Sequence, residues 1–192
     1  MKRIEALTTI VARTTELPVV ATCAATSREL ASVADTDNHL YLLDAMGLAV
    51  SVATGLAQVL AGSSLDRAVC VEGDGSLLMN LGAAATAGYL APDNLVIVLL
   101  DNGVYASTAG IPTQAARLDL GAIAESVGLA VLRVDDPTGL DAALATALEQ
   151  PGPWFIHART EPGNVAGTPL LLIDPVSHGD RFRRWVTERA AA

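Results

Sequence analysis

The chain has 192 residues, of which 51% are hydrophobic and only 4% aromatic, and its formal net charge at pH 7 is −9. An acidic chain without a Lys/Arg cluster is not typical of nucleic-acid or membrane-surface binding, and we expect neither partner. The length suits one domain spanning residues 1–192, and the two cysteines, Cys23 and Cys70, lack metal-ligand spacing, which favours a reducing cytoplasmic location.

The chain begins with a predicted helix over residues 3–14, where apolar side chains recur at helical spacing. Acidic Glu5, with no long apolar run after it, argues against a secretory signal. Residues 18–22 predict the first strand, and a loop of small residues then leads to a helix near Arg28. Thr26 and Ser27 in this loop are candidate helix N-caps, positions that can also bind an anion.

Residues 39–43 predict a short second strand, which ends in Asp44-Ala45-Met46-Gly47. An apolar helix follows to about residue 60. From the sequence alone, Met46 at the start of this helix is best interpreted as a side chain that fills the core.

Two apolar runs in the middle of the chain end in polar residues. Residues 68–71 lead into Gly73-Asp74-Gly75-Ser76 and a helical pattern, and residues 95–100 lead into Asp101-Asn102-Gly103. This order predicts a right-handed βαβ unit, whose ligands lie beyond the carboxyl ends of the strands. We therefore expect Asp74 and Asn102 to lie close together over one crevice.

The residue types in this crevice suit a metal and a phosphate. The glycines permit a tight turn and a close approach of the backbone to a ligand, and Ser76 is a predicted helix N-cap beside free N–H groups. Asp74 places a negative charge in the same corner, which is compatible with phosphate if a divalent cation lies between them. The local chemistry therefore predicts a metal–diphosphate site.

Other interpretations of the Gly-Asp-Gly segment fit less well. A dinucleotide fingerprint needs a third glycine where the chain has Leu78, and no Gly-Lys-Ser/Thr triplet of a P-loop follows a strand. The segment could also be a tight turn without a ligand, but its place between strand and helix, with Asn102 after the next strand, disfavours that alternative.

The rest of the chain continues the alternation. A loop of polar and small residues, 102–117, could close over a ligand, and in it Tyr105 is as compatible with packing as with contact. Helices are predicted at residues 118–127, 138–148 and 181–190, and strands at 130–134 and 154–158. His157 lies inside the last strand, where a structural role is expected. The predicted fold is α/β, with a single doubly wound, mostly parallel sheet and helices on both faces.

Several of these segments together resemble a known family. Gly73-Asp74-Gly75-Ser76, followed by Asp101-Asn102-Gly103, is similar to the thiamine diphosphate motif. Thr26-Ser27-Arg28-Glu29-Leu30, Ala45-Met46-Gly47 and Asn102-Gly103-x-Tyr105-x-Ser107-Thr108 occur in the order seen in phosphonopyruvate and sulfopyruvate decarboxylases. The matching part of those enzymes is the diphosphate-binding half, which is sometimes a separate subunit.

The resemblance implies thiamine diphosphate and Mg²⁺ as cofactors. It implies that the metal ligands are Asp74, Asn102 and the backbone carbonyl of Val104. Met46 matches the bulky apolar residue that supports the bent cofactor, and the backbone at Asp44 and Met46 matches the groups that bind the aminopyrimidine. The full set of implied cofactor-binding residues is Thr26, Ser27, Asp44, Met46, Gly73, Gly75, Ser76, Asn102, Tyr105 and Ser107.

The resemblance also implies a partner. In the similar enzymes a glutamate activates the cofactor, and it comes from a pyrimidine-binding domain across a subunit interface. Glu29 and Glu72 of this chain both belong to the diphosphate-binding half, so no catalytic residue is expected here. We expect a pyrimidine-binding (alpha-type) subunit, a heterotetramer or larger assembly, and a carboxy-lyase that is active only with the partner.

Departures from the family pattern leave the 2-oxo acid substrate open. Ala25, Leu48 and Ala106 stand where phosphonopyruvate-type enzymes tend to have Lys, His and Glu, and Gly167-Thr168-Pro169 replaces a Gly-Arg-Pro-Thr pattern. A less charged 2-oxo acid is therefore an alternative to a doubly anionic one. A carboligase subunit that forms an acyloin or an acetolactate-type product is the alternative activity, and a non-catalytic scaffold is a third hypothesis.

Overall fold

The computed structural model describes residues 1–191, and Ala192, the last residue of the predicted domain range, lies outside the described residues. The strands are β1 Val19–Ala21, β2 His39–Tyr41, β3 Ala68–Gly73, β4 Leu95–Asp101, β5 Val104–Tyr105, β6 Ile111–Pro112, β7 Ala130–Val134 and β8 Trp154–Arg159. The helices are α1 Arg3–Arg13, α2 Ala25–Val33, α3 Ala49–Leu60, α4 Asp74–Met79, α5 Gly82–Leu90, α6 Leu120–Ser126, α7 Pro137–Glu149 and α8 Pro175–Ala190, with a 3₁₀ helix at Gln114–Ala116.

Six strands form one parallel sheet in the order β2-β1-β3-β4-β8-β7. All seven residues of β4 are buried, as expected for a central parallel strand that is covered on both faces. One face packs against α1, α2 and α7, and the other against α3, α5 and α6. The predicted doubly wound α/β fold is confirmed.

The chain reverses its direction of travel across the sheet between β1 and β3. From β1 it passes outward to β2, and it then returns to place β3 on the other side of β1. Ligands of open α/β sheets bind beyond the carboxyl ends of the strands at such a switch point. This topology puts the segments that follow β1, β3 and β4 at one crevice.

Some element boundaries differ from the sequence-based predictions. The single helix expected after Gly73 is divided into α4 and α5, because Asn80 leaves helical geometry (φ −147°, ψ 61°). Its side-chain amide instead donates to the carbonyl of Gly47 at 2.9 Å. Helix α8 begins six residues before the predicted start at 181, with Asp174 accepting the N–H of Ser177 as its N-cap.

Residues 102–117, predicted to be a loop, contain regular secondary structure. Strands β5 and β6 form an antiparallel hairpin, and the 3₁₀ helix follows it.

Across residues 1–191, no helix has the length and apolar character needed to cross a bilayer.

Candidate functional site

A cavity opens at the switch point of the sheet. Its wall is formed by the segments that follow β1, β3 and β4, together with Arg3 and Met46. The lining residues from those segments are Thr22 to Thr26, Gly73 to Ser76, Leu100, Asn102 and Val104 to Ser107. Three chain segments distant in sequence thus meet at one place, and most of the predicted site residues lie in this wall.

Asp74 is the buried acidic residue of the cavity. It is the first residue of α4 and is 3% exposed. Its Oδ2 accepts the hydroxyl proton of Thr113 at 2.5 Å, and its Oδ1 accepts the N–H of Asn102 at 3.4 Å. Burial raises the pKa of this carboxyl, the nearby charge of Asp101 adds to the rise, and the bond from Thr113 opposes it. The predicted proximity of Asp74 and Asn102 is confirmed.

The turn after β4 presents further oxygen atoms to the cavity. Oδ1 of Asn102 accepts the N–H of Val104 at 3.0 Å, which closes a small turn around Gly103. Gly103 has φ +70°, a conformation that favours glycine. Val104 lies opposite Pro112 in the hairpin, and Pro112 has no N–H to donate to the Val104 carbonyl.

Asp101, next to Asn102, is held away from the cavity. Its Oδ2 accepts from Nε2 of His157 at 2.7 Å and lies 3.2 Å from Nη1 of Arg159. Burial opposes ionisation of Asp101, but the bond from His157 and the charge of Arg159 outweigh it, so the pKa is lowered. The ionised carboxylate is therefore satisfied by β8, in agreement with the structural role expected for His157.

The glycine between Asp74 and Ser76 is required for packing. A Cβ on Gly75 would lie 2.5 Å from Cε1 of Tyr105 and 3.3 Å from Cγ2 of Thr113. The Tyr105 ring therefore lies directly on the backbone of α4. Tyr105 both lines the cavity and packs against Gly75, so the two roles considered from the sequence occur together.

The segment after β1 differs in detail from the prediction. Helix α2 begins at Ala25 and not near Arg28, so Thr26 and Ser27 lie in its first turn and neither is the N-cap. The N-cap is Ala24, whose φ of 63° and ψ of −132° are rare for a residue with a side chain. Thr26 lines the cavity, whereas the buried Ser27 hydroxyl donates to the carbonyl of Thr22.

Ser76 is likewise not an N-cap. Helix α4 starts at Asp74 and its N-cap is Gly73, so Ser76 is the third residue of the helix. The Ser76 hydroxyl lies 2.9 Å from that of Thr22 and accepts the N–H of Gly47 at 2.8 Å. This side chain ties the segments after β1, β2 and β3 together.

The segment after β2 brings Met46 to the cavity wall. Gly47 has φ +79°, and a Cβ there would lie 2.9 Å from Cβ of Asn80, so no larger residue fits without a shift. Met46 lines the cavity itself. Asp44 (φ 53°) is exposed and lines a neighbouring groove with Met46 and Ser107.

The donor set of the cavity fits a hard divalent cation. The oxygens available are those of the Asp74 carboxylate, the Asn102 amide and the Val104 carbonyl, which are ligand types preferred by Mg²⁺. No ion pair of Asp74 with a cationic side chain occurs within residues 1–191, so the carboxylate, when it is ionised, has no counterion from these residues. Residues 1–191 contain no cluster of three or more His, Cys, Asp or Glu suited to a metal, and the cavity needs only one carboxylate if phosphate oxygens complete the shell.

Neither Glu29 nor Glu72 lines the cavity. Glu29 is 2% exposed and its Oε1 lies 2.6 Å from Nη2 of Arg3. Glu72 is fully buried beneath Gly73, whose N–H donates to Oε1 at 2.9 Å, and burial raises its pKa. The second oxygen of Glu72 has no hydrogen-bond partner among the described residues.

Two residues of the site were missed from the sequence. Thr113 bonds to Asp74, and Arg3 reaches the cavity from the first helix. Arg3 lies 70 positions before Gly73, and Thr113 follows a short strand pair that the sequence did not indicate. No local pattern marks either residue, so only the tertiary structure identifies them.

A comparison with family models matches residues 22–158 to the thiamine pyrophosphate enzyme C-terminal TPP binding domain. The chain belongs to the thiamine pyrophosphate enzyme family. The matched residues include the segments after β1, β2, β3 and β4 that form the cavity. The recognition made from the motifs is thus confirmed, and so are the predicted cofactors, thiamine diphosphate and the Mg²⁺ that accompanies its diphosphate.

Two curated members of the family are 42% identical to the chain. One is sulfopyruvate decarboxylase subunit beta of Methanothermobacter thermautotrophicus, where the match covers 95% of this chain and 94% of the relative. The other is phosphonopyruvate decarboxylase of Streptomyces viridochromogenes, where it covers 96% of this chain but 46% of the relative. The chain therefore spans nearly all of the first relative and about half of the second.

Solved structures of the family share the fold. The 4-hydroxybenzoylformate decarboxylase of Rhodococcus jostii RHA1 superposes with a TM-score of 0.71 at 20% identity, over 85% of this chain and 33% of that one. Benzoylformate decarboxylase of Polynucleobacter necessarius gives a TM-score of 0.69 at 20% identity, over 84% of this chain and 33% of that one. At this identity, the likeness supports the architecture alone.

Proposed function

We propose that the chain is the diphosphate- and magnesium-binding subunit of a two-chain, thiamine diphosphate-dependent 2-oxo acid decarboxylase. The observation that carries this proposal is the convergence of Asp74, Asn102 and Val104 at the switch point of the sheet. The enzyme class predicted from the sequence, a thiamine-dependent carboxy-lyase, is confirmed by relatives that are named decarboxylases.

In this proposal, Asp74, Asn102 and the Val104 carbonyl hold the cation. The first turn of α2, with Thr26 at the cavity, and the backbone from Gly73 to Ser76 hold the diphosphate, since N–H groups at a helix start bind anions. Met46 supports the cofactor, and Tyr105 and Ser107 border it. When bound, thiamine diphosphate supplies an electron sink for loss of carbon dioxide.

The activating glutamate comes from a partner chain in this proposal. Among the described residues that line the cavity there is no glutamate. Glu29 is paired with Arg3, and Glu72 lies beneath the strand end with one oxygen bonded to Gly73. We therefore propose a pyrimidine-binding subunit that covers the open side of the cavity, in a heterotetramer or larger assembly. The name of the Methanothermobacter thermautotrophicus relative, a subunit beta, supports a partner of this kind.

The substrate we propose is a 2-oxo acid with a further anionic group, of the sulfopyruvate or phosphonopyruvate type, on the basis of the names of the relatives. Ala25 and Ala106 favour a second candidate, a less charged 2-oxo acid. Both residues line the cavity. The Lys and Glu that phosphonopyruvate-type enzymes tend to have at these two positions would lie near the substrate, and this chain lacks both.

The test is an assay of carbon dioxide release. The chain is co-expressed with a candidate pyrimidine-binding chain, sought among the products of neighbouring genes, and is supplied with thiamine diphosphate, Mg²⁺ and a panel of 2-oxo acids. We expect turnover only when both chains and both cofactors are present. Activity that depends on neither cofactor would refute the proposal. Addition of an acceptor aldehyde, followed by product analysis, distinguishes decarboxylation from carboligation.

We also propose that the chain acts as one diphosphate-binding domain in the cytoplasm. All six main strands join in a single sheet, and both cysteines are free and buried. Buried thiols without disulfides are typical of proteins in a reducing compartment. Cell fractionation with an antibody against the chain checks the location.

A further inference from the structure

The turn between the two proposed metal ligands Asn102 and Val104 is held from both sides by buried groups. The N–H of Gly103 donates to Oδ1 of Asp101 at 3.1 Å. The carbonyl of Gly103 accepts the N–H of Thr113 at 2.9 Å. Since Gly103 lies between the two ligands, its conformation sets the direction of the Asn102 side chain relative to the Val104 carbonyl.

The first anchor, Asp101, is itself fixed. It is 1% exposed, and His157, which is 4% exposed, contacts its Oδ2. Because one oxygen is bonded to His157 and Arg159 and the other to Gly103, this carboxylate does not turn towards the cavity. Asp101 shapes the turn and leaves the cavity to Asp74.

The second anchor, Thr113, contacts both segments that carry metal ligands. Its backbone N–H holds Gly103, and its hydroxyl donates to Oδ2 of Asp74 at 2.5 Å. Thr113 is 3% exposed, so water does not readily replace its hydroxyl. A hydroxyl has one proton to donate, and its use on Oδ2 leaves Oδ1 of Asp74 on the side of Asn102.

We propose that Thr113 is a positioning residue for the divalent cation: it sets which oxygen of Asp74 faces the metal and holds the turn that carries the other two ligands. This inference rests on the proposed function, because it takes Asp74, Asn102 and Val104 as the ligands. Residues that orient a metal ligand typically change the affinity for the metal by about 10- to 100-fold when they are replaced.

The test compares Thr113→Val with Thr113→Ser in the full chain, titrated with Mg²⁺ in the presence of excess thiamine diphosphate, with the cofactor alone as the blank. The valine variant keeps the shape and the backbone N–H but loses the hydroxyl, whereas the serine variant keeps the hydroxyl. Calorimetric titration with Mg²⁺ should show about 10- to 100-fold weaker binding for Thr113→Val. Thr113→Ser should bind close to the wild-type affinity. Thr113→Ala supplies the same comparison if the valine variant folds poorly.

A second cation separates positioning from general damage. Mg²⁺ requires near-ideal octahedral geometry, whereas Ca²⁺ accepts irregular and variable coordination. Thr113→Val should therefore lose more affinity for Mg²⁺ than for Ca²⁺. Thr14→Val is the matched control, because Thr14 is also fully buried but its hydroxyl donates to the carbonyl of Ile10 in α1, away from the cavity. The Thr14→Val variant should bind both Mg²⁺ and Ca²⁺ with the affinity of the wild type.

The outcomes separate this inference from the proposed function. Wild-type binding of thiamine diphosphate with Mg²⁺, together with unchanged affinity in Thr113→Val, overturns the positioning role alone. Equal losses of Mg²⁺ and Ca²⁺ affinity also overturn it. A wild-type chain that binds neither the cofactor nor the cation overturns the proposed site and this inference with it.

Discussion

The backbone N–H of Asn102 donates to Oδ1 of Asp74 at 3.4 Å, although the two residues are 28 positions apart in the chain. This contact joins the ends of β3 and β4, which are adjacent and parallel in the sheet. The bond is long, and it uses only one of the acceptor sites of Oδ1. Asp74 and Asn102 are thus arranged so that one cation can contact both.

Asp74→Asn should abolish Mg²⁺-dependent binding of thiamine diphosphate. The amide keeps the size and an acceptor oxygen but removes the charge that attracts the cation. Since burial raises the pKa of Asp74, the ionised carboxylate is disfavoured in the folded protein without metal. The metal-free variant should therefore be at least as stable as the wild type at pH 7.

Calorimetric titration with thiamine diphosphate in the presence of Mg²⁺ measures the loss of cofactor binding. Thermal unfolding in the absence of Mg²⁺ measures the stability of the metal-free protein. Asp66→Asn, at an exposed position before β3, is the control and should change neither measurement. Wild-type affinity in Asp74→Asn would contradict the assigned metal ligand.

Gly75→Ala should destabilise the protein and weaken cofactor binding together. The new Cβ would lie 2.5 Å from the Tyr105 ring, which must move out of its place in the cavity wall. Overpacking of this kind typically costs about 1–3 kcal/mol. Urea unfolding and titration with thiamine diphosphate measure the two effects.

Gly55→Ala is the matched glycine control. Gly55 lies inside α3, and apart from its chain neighbours and the backbone of its own helix no heavy atom lies within 4 Å of the added Cβ. Alanine is favoured over glycine in a helix by about 0.8–1 kcal/mol, so this variant should be more stable and should bind the cofactor normally. If both alanine variants behave alike, the packing of Tyr105 on Gly75 is not what the site requires.

Arg3→Met should cause a large loss of stability. Nη2 and Nε of Arg3 donate to the two oxygens of Glu29 at 2.6 and 3.0 Å, and both side chains are buried. Nη2 also donates to Oδ1 of Asn164 at 2.8 Å, which ties the first helix to the segment after β8. Removal of one partner of a buried pair leaves an uncompensated charge and costs about 3–5 kcal/mol.

Arg13→Met tests the same chemistry at the surface. Arg13 lies on the same helix and also bonds both oxygens of one carboxylate, Asp141, but these side chains are 41% and 46% exposed. Solvent screens such a pair, so the change in the free energy of unfolding should be much smaller. Equal losses in the two variants would contradict the importance of burial.

His178 should make the docking of α8 sensitive to acid. Its Nε2 accepts the N–H of Tyr41 at 2.9 Å, and the two rings stack with centroids 5.0 Å apart. Burial lowers the pKa of His178, the charge of Arg181 lowers it further, and Asp35 opposes them. Because the folded pKa lies below the value of about 6.5 in the unfolded chain, the unfolded state takes up the proton first. The stability contributed by neutral His178 is therefore fully present above about pH 6.5, and it is lost as the pH falls from there through the pKa of His178 in the folded protein.

His178→Gln isolates this contribution. Glutamine can accept the N–H of Tyr41 but does not titrate, so the variant should lose less stability than the wild type between pH 7 and pH 5. Burial also lowers the pKa of His39, and a remaining pH dependence in the variant is expected from that residue. Denaturant unfolding across this pH range and NMR titration of the histidines check it, and a His178 pKa above 6.5 would contradict it.

Most of the sheet and the closeness of Asp74 and Asn102 in the proposed metal-binding corner could be predicted from the sequence. Strands β3 and β4 are continuous apolar runs that end in polar residues, and such runs mark buried parallel strands whatever their surroundings. The neighbouring positions of Asp74 and Asn102 then follow because β3 and β4 are adjacent and parallel, so their carboxyl ends lie at the same edge of the sheet. The family could be recognised from the sequence because its motifs, Gly73-Asp74-Gly75 and Asn102-Gly103, lie at the ends of these two strands.

The predictions failed where a distant contact decides the local geometry. Asn80 ends α4 because its amide bonds to Gly47, and α2 starts at Ala25 because Ala24 takes a rare conformation at the cavity. Thr26, Ser27 and Ser76 are good N-cap types, but each lies within the first turn of its helix. The N-cap propensity of a residue type does not depend on its neighbours in the fold. In this protein, the packing of neighbouring segments decides where α2 and α4 begin.

By itself, the sequence determined the alternation of strands and helices, the order of the motifs and the chemistry of the proposed ligand set. These depend on local pattern and on residue type, which the chain carries without reference to its fold. Only the tertiary structure decided that Thr113 bonds to Asp74, that Arg3 neutralises Glu29 and that β8 fixes Asp101 through His157. Those partners are brought together by the order of the strands in the sheet, and no spacing along the chain encodes that order directly.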